Sequence, residues 1–353
     1  MTLAELGWDP FFADAFEPYT TQGLIPARVG AQHRGAYVLL SEDGELAADV
    51  SGRLRHEIDW RVGLLPAVGD WVAARPSGGR ATIQAVLPRR TKFSRNVAAG
   101  PSDLTQEQVL AANVDTVFLV SSLGPDLNLR RLERYLATAW ESGAEPVIVL
   151  TKVDLFETAS SDVPAVESIA YGVRVHTVSG ITGAGVDALA PYLLTGRTIA
   201  LLGPSGVGKS TLVNRLCGRQ VLATGAVRRD GKGRHTTSHR ELVPLPGGGL
   251  MLDTPGLREL QLWDAGEGVG ATFEDVERLA AECRFSDCAH EREPGCAVRA
   301  ALAGGTLEAG RWQSYSKFQR ELRALEIRQD ARLQAEETKQ RRRAARGRRK
   351  ISY

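Results

Sequence analysis

The sequence predicts three units in series: a small β-barrel, an α/β domain with a parallel sheet, and a mainly helical domain that holds a metal. Three observations carry that reading. Short β-like runs with turn signals between them fill residues 23–96. Apolar runs then alternate with stretches of helical spacing, the mark of strands covered by helices on both faces. Farther on, inside a polar and helix-patterned stretch, three Cys and one His fall within fourteen residues. At 353 residues, 43% hydrophobic and 24% charged, the chain has the composition of a globular protein and room for two or three domains.

Residues 1–22 form an extension marked by Trp8, Phe11, Phe12 and Phe16, side chains suited to packing on a neighbouring unit. The barrel is expected over 23–96. Its strands are Ala27-Arg28-Val29, Ala36 to Leu40, Leu46 to Val50 and Asp70 to Ala74, with turn signals at Glu42-Asp43-Gly44, Val68-Gly69 and Ser77-Gly78-Gly79. An OB-fold suits several short strands in so few residues, although strand count alone does not separate it from an SH3-like barrel. The basic stretch Arg89 to Arg95 then leads into Ala98-Ala99-Gly100-Pro101-Ser102, which has the composition of a linker.

The α/β domain is expected over 97–264. Val114 to Val120, Pro146 to Leu150 and Val173 to Val178 have the apolar character of buried strands. Leu129 to Ser142 carries Leu132, Tyr135, Leu136 and Trp140 at helical spacing. Residues 265–338 make the helical domain, with a charge-rich helix from Arg311 to about Gln340, and 339–353 a basic tail. That tail holds Lys339, Arg341, Arg342, Arg343, Arg346, Arg348, Arg349 and Lys350 with no acid, so a formal charge of +2 leaves −6 on the remaining residues. Such a run is either a nucleic-acid-binding arm or a solvated end. No apolar run approaches the ~20 residues of a membrane helix. The start, Met1-Thr2-Leu3-Ala4-Glu5-Leu6, is acidic and lacks a signal-peptide pattern, so a cytoplasmic protein without a membrane partner is expected, as a monomer.

The central domain is organised around Gly203-Pro204-Ser205-Gly206-Val207-Gly208-Lys209-Ser210-Thr211. The apolar run Thr198 to Leu202 precedes it and a helically spaced Thr211 to Leu216 follows, which is the strand, turn and helix context a phosphate loop needs. Its glycines let backbone N–H groups converge on phosphate oxygens at a helix N-terminus. Lys209 is placed to reach the β- and γ-phosphates and the Ser210 hydroxyl to hold Mg²⁺. The pattern implies a nucleoside triphosphate.

Three weaker motifs surround it. Thr151-Lys152-Val153-Asp154 follows a buried strand, and an Asp carboxylate there accepts both N–H donors of guanine's Watson–Crick edge. Ser179, in Val178-Ser179-Gly180, is expected to add a backbone contact to the base. Asp253-Thr254-Pro255-Gly256 ends the apolar run Leu250 to Leu252, placing Asp253 near Mg²⁺ and the Gly256 N–H near the γ-phosphate. Between phosphate loop and DTPG, the Gly-rich and cationic Gly231 to Ser238 has the properties of a switch loop in which Thr236 or Thr237 closes on Mg²⁺. Ras-type GTPases orient the attacking water with a Gln after DxxG; here that position is Leu257. His235 is the candidate water-positioning group, the other reading being a loop-shaping or docking residue. The base-reading motifs at 151 and 179 precede the phosphate loop, whereas ordinary GTPases have the reverse order. A circular permutation of one fold explains every placement.

Cys283, Cys288, His290 and Cys296 suit a closed tetrahedral zinc site of structural kind, four ligands leaving no open position. Cys217 stands apart.

With these strings in hand the chain resembles the small-ribosomal-subunit-dependent GTPases, the RsgA (YjeQ/YloQ) family. TKVD, GPSGVGKST, GRHTTS, DTPGLREL and CRFSDCAHEREPGCAV carry the likeness, which covers nearly the whole chain. The resemblance implies GTP hydrolysis to GDP stimulated by the small (30S) ribosomal subunit, a role in late maturation of that particle, and contacts with its rRNA through barrel and zinc domain. Thr151 stands where Asn is commoner and Gly180 where Ala is, departures that bear on guanine affinity. An RNA-binding assembly scaffold with little turnover, and an ATP-using phosphotransferase, which TKVD speaks against, are the alternatives.

Overall fold

The computed structural model describes residues 1–33, 35–59, 65–99, 104–156, 159–220, 240–253 and 266–329. Helix α1 (Pro10–Phe16) begins on Asp9, whose carboxylate accepts from the Phe11 and Phe12 N–H groups. The extension packs on the barrel: Leu6, Phe12 and Phe16 bury against Leu24, Trp71, Ala73 and Leu87.

Five strands close into a barrel. They are β1 (Ile25–His33), β2 (Ala36–Ser41), β3 (Gly44–Val50), β4 (Trp71–Ser77) and β5 (Arg80–Val86), with α2 (Gly52–Asp59) between β3 and β4. Their order is β1-β2-β3-β5-β4, and β4 returns to pair with β1 from Ile25↔Ala74 to Arg28↔Trp71. This is the OB-fold barrel expected from the sequence, with β5 a strand the sequence reading did not single out. Closure leaves the interior filled by Val29, Leu39, Ala48, Val72 and Ile83.

The stretch read as a linker is different. Ala98 and Ala99 end β6 (Lys92–Ala99), which pairs along its length with β7 (Leu104–Ala112) in a separate two-stranded sheet. Phe93 is buried on the main core, so the base of the hairpin is part of the fold rather than a connection.

The remaining strands are β8 (Thr116–Ser122), β9 (Glu145–Thr151), β10 (Arg174–Thr177), β11 (Thr198–Leu202), β12 (Arg240–Pro244) and β13 (Leu250–Asp253). They lie in the order β10-β9-β8-β11-β13-β12, parallel except for β12. Every residue of β8 is buried, as a strand covered on both faces requires. Val117 and Leu119 face α3 (Leu129–Ser142), and Phe118 and Val120 face α5 (Lys209–Leu216). Helix α3 starts on Asn128, whose side chain accepts from the Arg131 N–H at 2.9 Å, and ends on Gly143 with φ of +80°. On the barrel side β12 pairs with β1 through Ala31↔Glu241 and Gln32↔Arg240. Barrel and α/β domain therefore share one eleven-stranded sheet. Helix α4 (Ala159–Glu167) flanks β10.

The C-terminal unit is helical: α6 (Gly266–Thr272), α7 (Glu274–Ala281), α8 (Ala297–Ala303) and α9 (Ala309–Gln329). Phe273, Val276, Val298, Tyr315 and Phe318 form its core, joined by Ala137 of α3. A buried ionic node locks it to the α/β domain. Arg311 of α9 donates to Glu133 of α3 at 3.0 Å, to Asp275 at 2.6 and 2.7 Å, and to the Thr272 carbonyl at 2.9 Å. Glu133 is fully buried, and burial pushes its pKa up against the pull of a Ser314 hydrogen bond and of Arg130 and Arg311.

Arg311→Leu leaves Glu133 buried with Arg130 as its remaining cationic partner and is expected to destabilise the C-terminal unit by about 3 kcal/mol, read as the midpoint of its denaturant transition. Adding Glu133→Leu removes the stranded charge and should recover more than half of that loss.

Candidate nucleotide and metal sites

Parallel strands send their carboxyl ends to one edge of a sheet, where ligands bind in open α/β folds. Four of the predicted motifs arrive there. The phosphate loop leaves β11, the TKVD loop leaves β9, the Ser179 turn leaves β10, and Asp253 closes β13 beside β11 with Ala200↔Leu252 in register. Motifs that are scattered and reordered in the chain thus converge in space.

The loop from Gly203 to Gly208 is held tightly against the sheet. A Cβ on Gly203 would lie 2.3 Å from the Val120 carbonyl oxygen, so only glycine lets the chain turn so close to β8. Gly206 and Gly208 have φ of +82° and +99°. Val207 buries its side chain in the core under α5, while Pro204, Ser205 and Gly206 form the outward part of the loop. Lys209 and Ser210 open α5, with Thr211 next, so all three sit at the positive end of the helix. The Lys209 ammonium donates to the carbonyls of Gly203, at 2.6 Å, and Pro204, at 2.5 Å, which keeps it across the mouth of the loop.

Thr151 occupies an instructive place. It is 2% exposed, and its hydroxyl lies 3.2 Å from the Ser121 carbonyl and still closer to that of Val207. One hydroxyl proton thereby ties the end of β9 to the phosphate loop and to β8. The sequence raised Thr151 as a departure that bears on the base; the geometry gives it the further task of setting the loop. Lys152 then takes a left-handed turn, φ +64°, and Asp154 emerges exposed. The second departure also has a physical reason. A Cβ on Gly180 would meet the Leu212 nitrogen and Thr211 Cγ2 at 3.1 Å, so a glycine lets the Ser179 turn lie directly on α5. Ser179 is fully buried; its Oγ accepts from the Ile181 and Thr182 N–H groups, and Arg215 of α5 holds the carbonyls of Gly180 and Ile181. His235, Thr236, Thr237 and Gly256 lie outside the described residues, as does the tail 339–353.

In the helical unit Cys283, Cys288, His290 and Cys296 bring their ligand atoms within 4.8 Å of one another. Zn–S and Zn–N bonds in a tetrahedron call for S···S near about 3.8 Å and S···N near about 3.6 Å. Cys283 Sγ is 3.9 Å from Cys296 Sγ, and His290 Nδ1 is 3.6 and 3.5 Å from those two sulfurs. The donor set and its spacing fit a tetrahedral ion. Trp312 of α9 packs edge-on to the His290 ring at 5.4 Å, fixing its orientation from outside. Cys217 is far from this cluster in the chain, buried at the C-terminal end of α5.

Thr151→Val keeps the shape of the side chain and removes the bond to the phosphate loop. It should weaken nucleotide binding by about 5- to 10-fold, and Thr151→Ser should not, as read by equilibrium titration with a fluorescent guanine nucleotide.

The comparisons agree with this geometry. The model of the family described as RsgA GTPase matches residues 86–263. The small ribosomal subunit biogenesis GTPase RsgA of Opitutus terrae is 56% identical over 333 residues, 91% of this chain and 90% of that protein. The protein of the same name from Streptomyces coelicolor is 48% identical over 95% of this chain and 90% of its own length. Among solved structures, YjeQ from Thermotoga maritima matches with a TM-score of 0.62 and 28% identity, over 85% of this chain and 98% of that one. YloQ, described as a circularly permuted GTPase, matches in fold with a TM-score of 0.59 and 23% identity, over 85% and 96%. The reordered motifs, the strand ends that gather them and the extent of these similarities have one explanation: the chain belongs to the RsgA GTPase family.

Proposed function

We propose that this chain hydrolyses GTP in the service of small-subunit biogenesis, and that the 30S particle and its rRNA are the partners that stimulate it. The observation that carries the reading is the convergence of phosphate loop, TKVD loop and Ser179 turn on one sheet edge, in a chain whose relatives are named small ribosomal subunit biogenesis GTPases. In this reading Asp154 selects guanine and the Ser179 turn supports the base. Backbone N–H groups from Gly203 to Gly208 and the Lys209 ammonium hold the phosphates. Ser210 and Asp253 hold Mg²⁺, which when bound neutralises charge on the phosphate oxygens. His235 is proposed to position water and Thr236 or Thr237 to close on the site, because Leu257 cannot hydrogen-bond water.

The barrel over 23–96 and the helical domain over 265–338 flank the GTPase domain, a layout that suits a long polyanionic partner. No helix among the described residues is long and apolar enough to cross a membrane, and the proposed workplace is the cytoplasm, as a monomer. Turnover measured with and without purified small subunits tests the reading. Stimulated hydrolysis of GTP, and not of ATP, is the expected result; nucleotide-dependent subunit binding with no turnover would favour the scaffold alternative.

A second prediction concerns the metal. We infer that the Cys283, Cys288, His290 and Cys296 cluster holds about one structural zinc per chain. Cys288→Ala should lose the zinc and loosen α7, α8 and α9 while leaving GDP affinity within about twofold, since the nucleotide edge is built from other elements. Metal analysis after chelator-free purification and hydrogen exchange of the C-terminal helices provide the check.

A further inference from the structure

A second cleft lies at the other end of the nucleotide sheet. Asp115 and Arg197, which immediately precede β8 and β11, line it, so it sits where those parallel strands begin rather than where the phosphate loop emerges. The extension contributes Trp8 and Phe12, and the barrel contributes Arg28 and Trp71. Its volume is about 560 Å³, within the range of small-molecule sites.

The charges around this cleft do not cancel. Arg90 pairs with Asp9, and Arg197 pairs with Asp115 at 3.1 Å. Arg28, 2% exposed, touches no carboxylate among the described residues. Its contacts are carbonyl oxygens, those of Leu6 at 2.5 Å, Gly69 at 3.2 Å and Asn113 at 2.9 Å. The other carboxylate in its field, Asp70, is taken by Arg89 at 2.6 Å. Burial lowers the Arg28 pKa to about 10, which still leaves it charged at neutral pH. Trp71 is fully buried, and its indole N–H finds no partner among the described residues. Among the described residues, a buried cation that no carboxylate touches and a buried donor without an acceptor line the same cleft. Both deficits are met by one kind of group, a negatively charged oxygen acceptor.

We propose that this cleft binds a small organic oxyanion, a carboxylate or phosphate monoester, with its head toward Arg28 and a flat apolar body against Trp8 and Phe12. The site is independent of GTP hydrolysis and lies away from the nucleotide edge. A role for Arg28 confined to joining Leu6, Gly69 and Asn113 would satisfy the fold but give the cleft no affinity for anions.

The test is calorimetric titration of the full, zinc-loaded chain with phenyl phosphate, in saturating GDP so that the nucleotide edge is filled. Saturable binding to one further site is expected, at least about tenfold tighter than phenol. Arg28→Gln would strand three buried carbonyls and confuse folding with binding, so the variants are placed at Ala4, which lines the cleft and is exposed. Ala4→Glu brings a like charge to the rim and should weaken phenyl phosphate by about fivefold or more, while Ala4→Gln stays within about twofold. Absence of saturable binding, equal affinity for phenol, or equal affinity in the two Ala4 variants overturns the proposal.

Discussion

Strand β11 lies between β8 and β13, hydrogen-bonded to both, with Ala200 opposite Val117 on one side and Leu252 on the other. The nucleotide site depends on that placement. Because these three strands and β9 run parallel, the loop after β11, the end of β13 and the loop after β9 emerge along one edge. Chain order then matters little, since a site is defined by which strand ends are neighbours. The loops proposed to read the base can precede the phosphate loop in sequence and still lie along the same edge. Thr151 makes the proximity a bond, joining the strand that presents Asp154 to the carbonyl of Val207 inside the phosphate loop.

A second constraint links the nucleotide domain to the barrel. The edge of β1 is divided: Ile25 to Arg28 pair with β4 and close the barrel, and Ala31 and Gln32 pair with β12. One strand thus serves both the barrel and the α/β part of the same sheet, and β12 leads through a short turn into β13 and Asp253. On the far side, Arg311 and Glu133 join α9 to α3, the helix that also packs on β8 and β9. The flanking units are therefore tied to the nucleotide sheet by buried, directional contacts, a backbone ladder on one side and an ion pair on the other. Any rearrangement of barrel or helical unit has to strain or break one of these.

What was legible in the sequence was whatever is local. Helix α3 announced itself through the spacing of Leu132, Tyr135, Leu136 and Trp140. The phosphate loop and the Cys–His cluster were legible because their chemistry needs fixed spacings. Several strands were not, β5 among them. β12, Arg240–Pro244, has charged residues and a proline in five positions and is a strand only because β13 and β1 flank it. The β6 and β7 hairpin was hidden by Gly100-Pro101, whose turn signal reads equally as a linker. The Glu133–Arg311 pair joins residues 178 apart, and nothing in either neighbourhood points to the other. Thr151 was noticed as an oddity at an expected base-reading position, and its bond to Val207 appears only when the ends of β9 and β11 are brought to one edge on either side of β8.

The central claim is that Asp154, from a motif far upstream of the phosphate loop, reads the base of the nucleotide which that loop holds. Nucleotide preference of Asp154→Asn measures it most directly. Xanthine presents an acceptor where guanine presents an amino donor, so the amide should exchange one preference for the other. The account predicts GTP binding weakened by at least about tenfold and xanthosine triphosphate binding strengthened, with ATP weak throughout. Equal affinity for GTP and ATP in the unaltered chain, or an unchanged preference in Asp154→Asn, would contradict it.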